Sequence, residues 1–231
     1  MNILIIGASG GIGSQLVSDL AEDNANLLLG YYSNPTSGSA KSIKIDARSF
    51  DSLMSFVQAG KDDFGEIDGV VNLSGSLVLK PPHLCSEEDF TNTIDTNLKT
   101  AFSTVRACGS LLRNASVVLM STAAASLGLV NHELIASSKA GVEGLVVSAS
   151  KTYARKNLRF NTVSPGLVDT PLTQSITSNE ISLAASKKMH PLGRIGTPKN
   201  ISNMIRFLLN KENDWITGQN YIVDGGLSSS K

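Results

Sequence analysis

Ile3-Leu4-Ile5-Ile6-Gly7-Ala8-Ser9-Gly10-Gly11-Ile12-Gly13 is the stretch on which the fold turns. Its first four residues form a short apolar run without alternation, as a parallel strand buried on both faces requires. Glycines follow, and helical periodicity begins at once, with Ile12, Leu16, Val17 and Leu20 on one face. A strand, a glycine turn and a helix bring backbone N–H groups and a helix N-terminus to one point. Glycine lets the backbone approach a ligand closely, and the helix dipole favours negative charge there. Glycines alone would also suit an ordinary turn. The strand before and the helix after make this a dinucleotide pyrophosphate site, with Gly7, Ser9, Gly11, Ile12 and Gly13 as its candidate residues.

Working outward, the same strand-and-helix alternation repeats along the chain. Leu27, Leu28 and Leu29 form a second strand, closing on Gly30-Tyr31-Tyr32-Ser33-Asn34. A site for NAD usually places an acid here for the ribose hydroxyls. None is present; Tyr32, Ser33 and Asn34 can donate to a 2′-phosphate, which favours NADP over NAD, although no arginine is expected nearby. Residues 35–40 are rich in Ser, Gly and Pro and read as a loop rather than a crossover helix. Residues 42–45 form a third strand ending at Asp46, which either touches the adenine or is a loop aspartate. Helical spacing over 50–64 precedes a fourth strand over 67–73, ending in Asn72-Leu73-Ser74-Gly75, where polar and small residues again suggest backbone close to a ligand. Ser86-Glu87-Glu88-Asp89 is a capping-box helix start. That helix is expected to run to about residue 112, with Phe90, Ile94, Leu98, Phe102 and Val105 on its apolar face. Asn97 lies beside that stripe and is either structural, bonding backbone, or functional, holding a water.

A fifth strand over 117–120 ends in Ser121-Thr122, hydroxyls at the carboxyl end where ligands bind in such sheets. Asn131 is a good N-cap for the next helix. That helix carries Ala136, Ala140, Gly141, Gly144 and Ala149, small residues that suit either a dimer interface or close packing on the sheet. A sixth strand over 160–163 leads into Ser164-Pro165-Gly166-Leu167-Val168. The segment up to Pro198 is polar and irregular, with the character of a mobile substrate loop. A helix over 201–209 and a seventh strand over 221–223 complete the pattern.

Composition bounds the rest. The 231 residues suffice for one sizeable α/β domain, and Lys+Arg and Asp+Glu balance at 20 each, leaving no electrostatic case for nucleic acid or anionic membrane. The two cysteines, Cys85 and Cys108, make neither a disulfide framework nor a metal site, so no metal is expected. The N-terminus lacks a basic region, its apolar run is too short for a signal peptide, and no run approaches the roughly 20 residues of a membrane span. A cytoplasmic protein is expected, with one domain over 1–227 and a flexible tail over 228–231.

Nearly end to end, the chain resembles the short-chain dehydrogenase/reductase family. The resemblance rests on the spacing of Gly7, Gly11 and Gly13, on Asn72-Leu73-Ser74-Gly75, on Asn97, on Ser121-Thr122, and on Lys139. Ser164-Pro165-Gly166, Pro191-Leu192-Gly193-Arg194 and the 215–226 ending complete it. It implies a doubly wound Rossmann fold of the α/β class: a seven-stranded parallel sheet with helices on both faces, NAD(P) binding, and a homodimer or homotetramer. It also implies that Pro165, Gly166 and Val168 join the cofactor residues and that Lys139 holds the nicotinamide ribose. Asn97 would anchor a water leading toward that lysine, and Thr122, with Ser121 adjacent, would take the place of the substrate-binding serine.

The family's tyrosine lies four residues before its lysine; here that residue is Ile135. Loss of a placed general acid costs about 10²–10⁴ in rate. With a helix starting at Asn131, His132, Ile135 and Lys139 share one face. His132 is therefore the candidate substitute, the alternative being that His132 and Glu133 only cap the helix. Tyr153 lies roughly 30 Å along the helix and is unsuitable, as are Tyr31 and Tyr32 at the adenosine end. Two functions follow. One is an NAD(P)H-dependent oxidoreductase of a small ketone or alcohol with an atypical proton donor. The other is a dinucleotide-binding, non-redox protein: a sensor, a partner subunit, or a lyase or isomerase.

Overall fold

The computed structural model describes residues 1–36, 38 and 40–229. The chain runs β1 (Asn2–Ile6), α1 (Gly11–Glu22), β2 (Asn26–Tyr31), β3 (Lys41–Lys44), α2 (Phe50–Phe64), β4 (Gly69–Asn72), α3 (Glu87–Ile94) and α4 (Thr100–Leu111). It continues through β5 (Ser116–Met120), α5 (Glu133–Thr152), β6 (Arg159–Pro165), α6 (Gln174–Thr177), α7 (Glu180–Met189), α8 (Pro198–Leu209) and β7 (Asn220–Val223). All seven strands pair in parallel, in the order β3-β2-β1-β4-β5-β6-β7. The sheet is built outward from β1 in both directions, so a crevice opens where β1 and β4 end side by side. This is the doubly wound Rossmann architecture.

Each strand of the centre serves two cores. Leu4 and Ile6 of β1 face α2, α4 and α5, while Ile3 and Ile5 face α1 and α8. Successive side chains point to opposite faces, and with both faces covered the sequence shows no alternation. Leu53, Phe56 and Val57 complete the first core, and Leu16, Leu20, Ile201 and Ile205 the second. Between β2 and β3 no helix occurs among the described residues, as the composition of 35–40 suggests; Ser37 and Ser39 lie outside them. Among the described residues, no helix is long and apolar enough to cross a membrane.

Three boundaries differ from the sequence expectation. The capping box of Ser86 and Asp89 is present, but the long helix is interrupted by a wide π-helical turn at Asp95–Lys99. Phe90 and Phe102 are 55% and 50% exposed rather than inward-facing. The face toward the sheet is instead Thr93, Asn97, Thr104, Val105 and Cys108; Thr104 Oγ1 donates to the Thr100 carbonyl at 2.9 Å, while Thr93 Oγ1 is buried without a partner among the described residues. Second, α5 begins at Glu133, not Asn131. Asn131 has φ of +64°, a left-handed conformation that Asn tolerates, and His132 occupies the N-cap without a side-chain cap. Third, α8 starts at Pro198, capped by Thr197 with Asn200, three residues before the first apolar position. At the C-terminus, Ser228 and Ser229 lie in a turn, with Ser228 N–H donating to Asp224 at 2.8 Å; Ser230 and Lys231 lie outside the described residues.

Candidate active site

The glycine turn after β1 is shaped by backbone contacts. Gly7 has φ of +78°, and its N–H donates to the Gly30 carbonyl at 2.9 Å, which ties the turn to β2. A Cβ at Gly13 would overlap the Gly7 carbonyl oxygen, so only glycine lets α1 start this close to the turn. Gly10, the N-cap, has no side chain to cap with, so first-turn N–H groups of α1 face the cleft lined by Gly7, Gly10, Gly11, Ile12 and Gly13. These residues fit a diphosphate: close backbone, free donors and a helix N-terminus. The loop after β6 rests on the same turn, since a Cβ at Gly11 would come within 2.9 Å of the Thr170 side chain.

Across the crevice, Ser74 and Gly75 line the cleft. Asn72 does not. Its amide lies beneath the loop, donating to the Thr100 carbonyl at 3.1 Å and Thr104 Oγ1 at 2.9 Å, and its oxygen accepts Ser74 N–H at 2.8 Å. It positions the loop that a ligand would meet.

At the adenosine end Ser9, Tyr32, Ser33, Asn34 and Asp46 come together, and so does Arg48. The expectation that no arginine lies nearby is corrected here. Arg48 grips both oxygens of Asp46, at 2.9 and 2.8 Å, and donates to the Tyr32 hydroxyl at 2.8 Å. Its guanidinium also stands over the Tyr32 ring, 5.1 Å from the centroid. The hydrogen bonds from Arg48 hold the Asp46 carboxyl below the usual range, and Asp46 in turn raises the Arg48 pKa. The parallel pairing of β2 with β3, Tyr31 opposite Lys44, is what brings these distant positions together.

At the other end the cleft is lined by Asn97, Ser121, Thr122, Ile135, Lys139, Pro165, Gly166 and Val168. The π-helical turn aims Asn97 inward, where it is 1% exposed and its amide donates to the Thr93 carbonyl at 2.9 Å and Ser76 Oγ at 3.0 Å. Lys139 is 7% exposed; its Nζ donates to the Met120 carbonyl at 3.0 Å, and burial pushes its pKa down to about 8. Gly75 leaves room for both: a Cβ there would lie 3.1 Å from Asn97 Oδ1 and 3.6 Å from Lys139 Nζ.

The two hydroxyls differ. Ser121 Oγ donates to Glu143 Oε1 at 2.6 Å, and Glu143 also accepts from Asn220 at 2.9 Å, so Ser121 belongs to a network under the cleft. Thr122 Oγ1 accepts Ala124 N–H at 3.3 Å, which leaves its own hydrogen without a partner among the described residues.

A second cavity of about 640 Å³ adjoins the cleft, and Thr122 and Ile135 line both. Ile135, at 4% exposed, therefore forms part of the wall where the two spaces meet. His132 lines the second cavity, with Nδ1 2.8 Å from the Val130 carbonyl. A carbonyl only accepts, so Nδ1 carries the hydrogen and a neutral ring presents a lone pair at Nε2. Tyr153 packs on Phe160, 5.7 Å between centroids, in the core far along α5.

Sequence reasoning missed Arg48, Glu143, Thr170 and His190. His190 is buried at the wall of the second cavity, with Nδ1 2.6 Å from the Ser186 carbonyl and Nε2 accepting Leu167 N–H at 3.4 Å. It fastens α7 to the loop after β6. Only its place beside Pro191-Leu192-Gly193 marked it in the sequence.

Comparisons with known proteins agree with this geometry. A family model described as Enoyl-(Acyl carrier protein) reductase matches residues 7–228. The chain is 30% identical over 249 residues to the hydroxynaphthalene reductase-like protein Arp2 of Metarhizium anisopliae, covering 96% of this chain and 93% of that one. It is 30% identical over 242 residues to the 3-oxoacyl-[acyl-carrier-protein] reductase FabG of Thermotoga maritima, covering 97% and 96%. Among solved structures, the aldohexose dehydrogenase of Thermoplasma acidophilum superposes with a TM-score of 0.92 at 26% identity, covering 100% of this chain and 95% of that one. A short-chain type dehydrogenase/reductase from Mycobacterium ulcerans gives 0.91 at 24% identity, covering 98% and 89%, a likeness of fold. With a family model spanning the chain, two full-length relatives and the crevice geometry in agreement, this protein belongs to the short-chain dehydrogenase/reductase family of NAD(P)-binding oxidoreductases.

Proposed function

We propose that the protein is an NADP(H)-dependent oxidoreductase of a ketone or alcohol in which Ile135 stands where the family places its phenol and His132 handles the proton. The observation that carries this is the His132 ring, fixed through Nδ1 on the wall of the cavity that Ile135 and Thr122 also line. The dinucleotide, when bound, supplies or takes up the hydride. Lys139 has two ammonium hydrogens beyond its bond to Met120 and is suited to hold ribose hydroxyls. Thr122 offers its free hydroxyl hydrogen to the substrate oxygen. In reduction, cationic His132 gives up its Nε2 proton to that oxygen and becomes the neutral tautomer that the Val130 carbonyl stabilises. In alcohol oxidation the neutral ring accepts the hydroxyl proton at Nε2.

Tyr32, Ser33 and Asn34, now with Arg48, support NADP over NAD, because a 2′-phosphate needs donors and positive charge. Relatives named as reductases of hydroxynaphthalenes and of oxoacyl groups support carbonyl chemistry. The open groove lined by half-buried Ile94 and Leu98 and exposed Phe102, beside Gly141 and Gly144, supports a homodimer or homotetramer through α4 and α5. A cytoplasmic place, a single domain over 1–227 and the site residues named above belong to the same reading.

Ile135 favours a second reading, a nucleotide-binding protein without carbonyl reduction: a sensor, a partner subunit, or a lyase or isomerase. Calorimetry with NADPH and turnover on a carbonyl panel separate the two. The first reading expects NADPH binding, turnover by the wild type, and a loss of about 10²-fold or more in His132→Ala. Turnover undiminished in His132→Ala removes the proton role; binding without turnover leaves the second reading; no binding of either nicotinamide nucleotide removes both.

A further inference from the structure

The second cavity is unlike the cleft it adjoins. Leu77, Leu79, Leu129, Val130, Ile176 and Met189 are among its lining side chains, and among the described residues no Asp, Glu, Lys or Arg lines it. Two of its six polar side chains are fully engaged within the protein. Both ring nitrogens of His190 are engaged, and the Thr173 hydroxyl donates to the Val168 carbonyl at 2.5 Å. The available donors and acceptors at the inner end are Thr122 Oγ1 and His132 Nε2, beside Ile135. Ser182 and Ser186 sit across the cavity on α7.

From this arrangement we infer that the cavity takes an uncharged, bulky, mostly apolar ketone or alcohol, whose one polar function points to Thr122 and His132. The inference rests on the carbonyl-oxidoreductase reading and names its substrate class. A volume of about 640 Å³ lies within the range of sites for molecules of on the order of ten to twenty non-hydrogen atoms, well above a three- or four-carbon oxo acid. A carboxylate would enter a wall with no cation among the described residues to meet it, which is strongly unfavourable. A sugar would strand several hydroxyls, each costing on the order of tenfold in affinity when left unpartnered. A carbon skeleton gains on every surface it covers.

The test is calorimetry on the full chain with three probes: 2-decalone, D-glucose and 2-oxobutanoate, with and without saturating NADP⁺. Decalone is expected to bind about a hundredfold more tightly than either polar probe. Ile176→Arg puts a cation into the cavity away from the nucleotide residues. It is expected to weaken decalone at least about tenfold while NADPH binding stays unchanged. Met189→Glu, at a half-exposed position that tolerates charge, is expected to act in the same direction and guards against misfolding of the first variant. Glucose or 2-oxobutanoate binding as tightly as decalone overturns the inference. So does decalone binding that neither variant disturbs, or no decalone binding at all. NADPH binding is recorded separately: its absence would count against the oxidoreductase reading, while decalone binding to the nucleotide-free cavity would still decide the substrate class.

Discussion

At Gly7, Gly13 and Gly75 the nucleotide cleft is shaped by main chain and by the absence of side chains. At Thr122, His132 and Ile135 the adjoining cavity is shaped by side chains hung on helix and loop. The first region holds close backbone, first-turn N–H groups and a helix N-terminus that suit a diphosphate, down to the φ of +78° at Gly7. The second holds Ile135, which in the proposed reading stands at the place of a phenol that would give a proton. Binding a nucleotide is thus a property of backbone path, which substitution cannot easily change while the fold persists. Chemistry is a property of a few side chains, which can be exchanged without disturbing the path.

The largest effect expected from breaking this contrast is a gain. Ile135→Tyr placed in the His132→Ala background puts a phenol four residues before Lys139 and is expected to raise kcat for ketone reduction by about 10²–10⁴ over His132→Ala alone, read as NADPH oxidation. A rate unchanged from His132→Ala would mean that the wall at Ile135 is not where the substrate oxygen lies. On the cleft side, Gly13→Val drives a side chain into the Gly7 carbonyl. It is expected to weaken NADPH by about a hundredfold or more in calorimetry, with circular dichroism reporting whether the sheet survives. Near-normal affinity would show that the turn relaxes.

Lys139 lines the cleft one helical turn from Ile135 and sharpens the comparison through pH. Burial lowers its pKa from 10.5 to about 8, so between those values the unfolded chain binds more protons than the folded one. Stability from this group therefore rises with pH across that window, by about 3 kcal/mol in all. Urea midpoints from pH 7.5 to 10.5 should climb less steeply in Lys139→Met than in wild type; identical profiles would mean that the ammonium is solvated. The smallest effect is expected at Arg48, which is more than a third exposed and already paired with Asp46. Arg48→Ala should reduce the preference for NADPH over NADH by about three- to tenfold. No change in that ratio would assign Arg48 to Asp46 and Tyr32 alone.

The cleft was legible in the sequence because glycine is demanded by geometry, and geometry leaves a spaced pattern. The apolar runs of β1 and β5 marked buried strands for the same reason. Arg48 was not legible, since its partner Tyr32 stands sixteen residues earlier and the two meet only through parallel pairing. The π-helical turn at Asp95–Lys99 was hidden because helical periodicity carries no sign of a widened turn, and Phe90 and Phe102 were then assigned to the wrong side. The inward turn of the Asn72 amide was not legible either, because a strand end shows which residues are near a ligand, not which way each points. His190, a lone histidine beside a proline, had no pattern to announce that both its nitrogens would be used.

The contact between Gly11 and the segment at Thr170 and Pro171 joins the two regions mechanically. The same segment leads straight into α6, whose Ile176 roofs the larger cavity. A ligand on the glycine turn would therefore meet the segment that leads into the wall of the second cavity. Loading one compartment sets the shape of its neighbour, and the two occupants are expected to report each other's presence as cooperativity rather than as independent events.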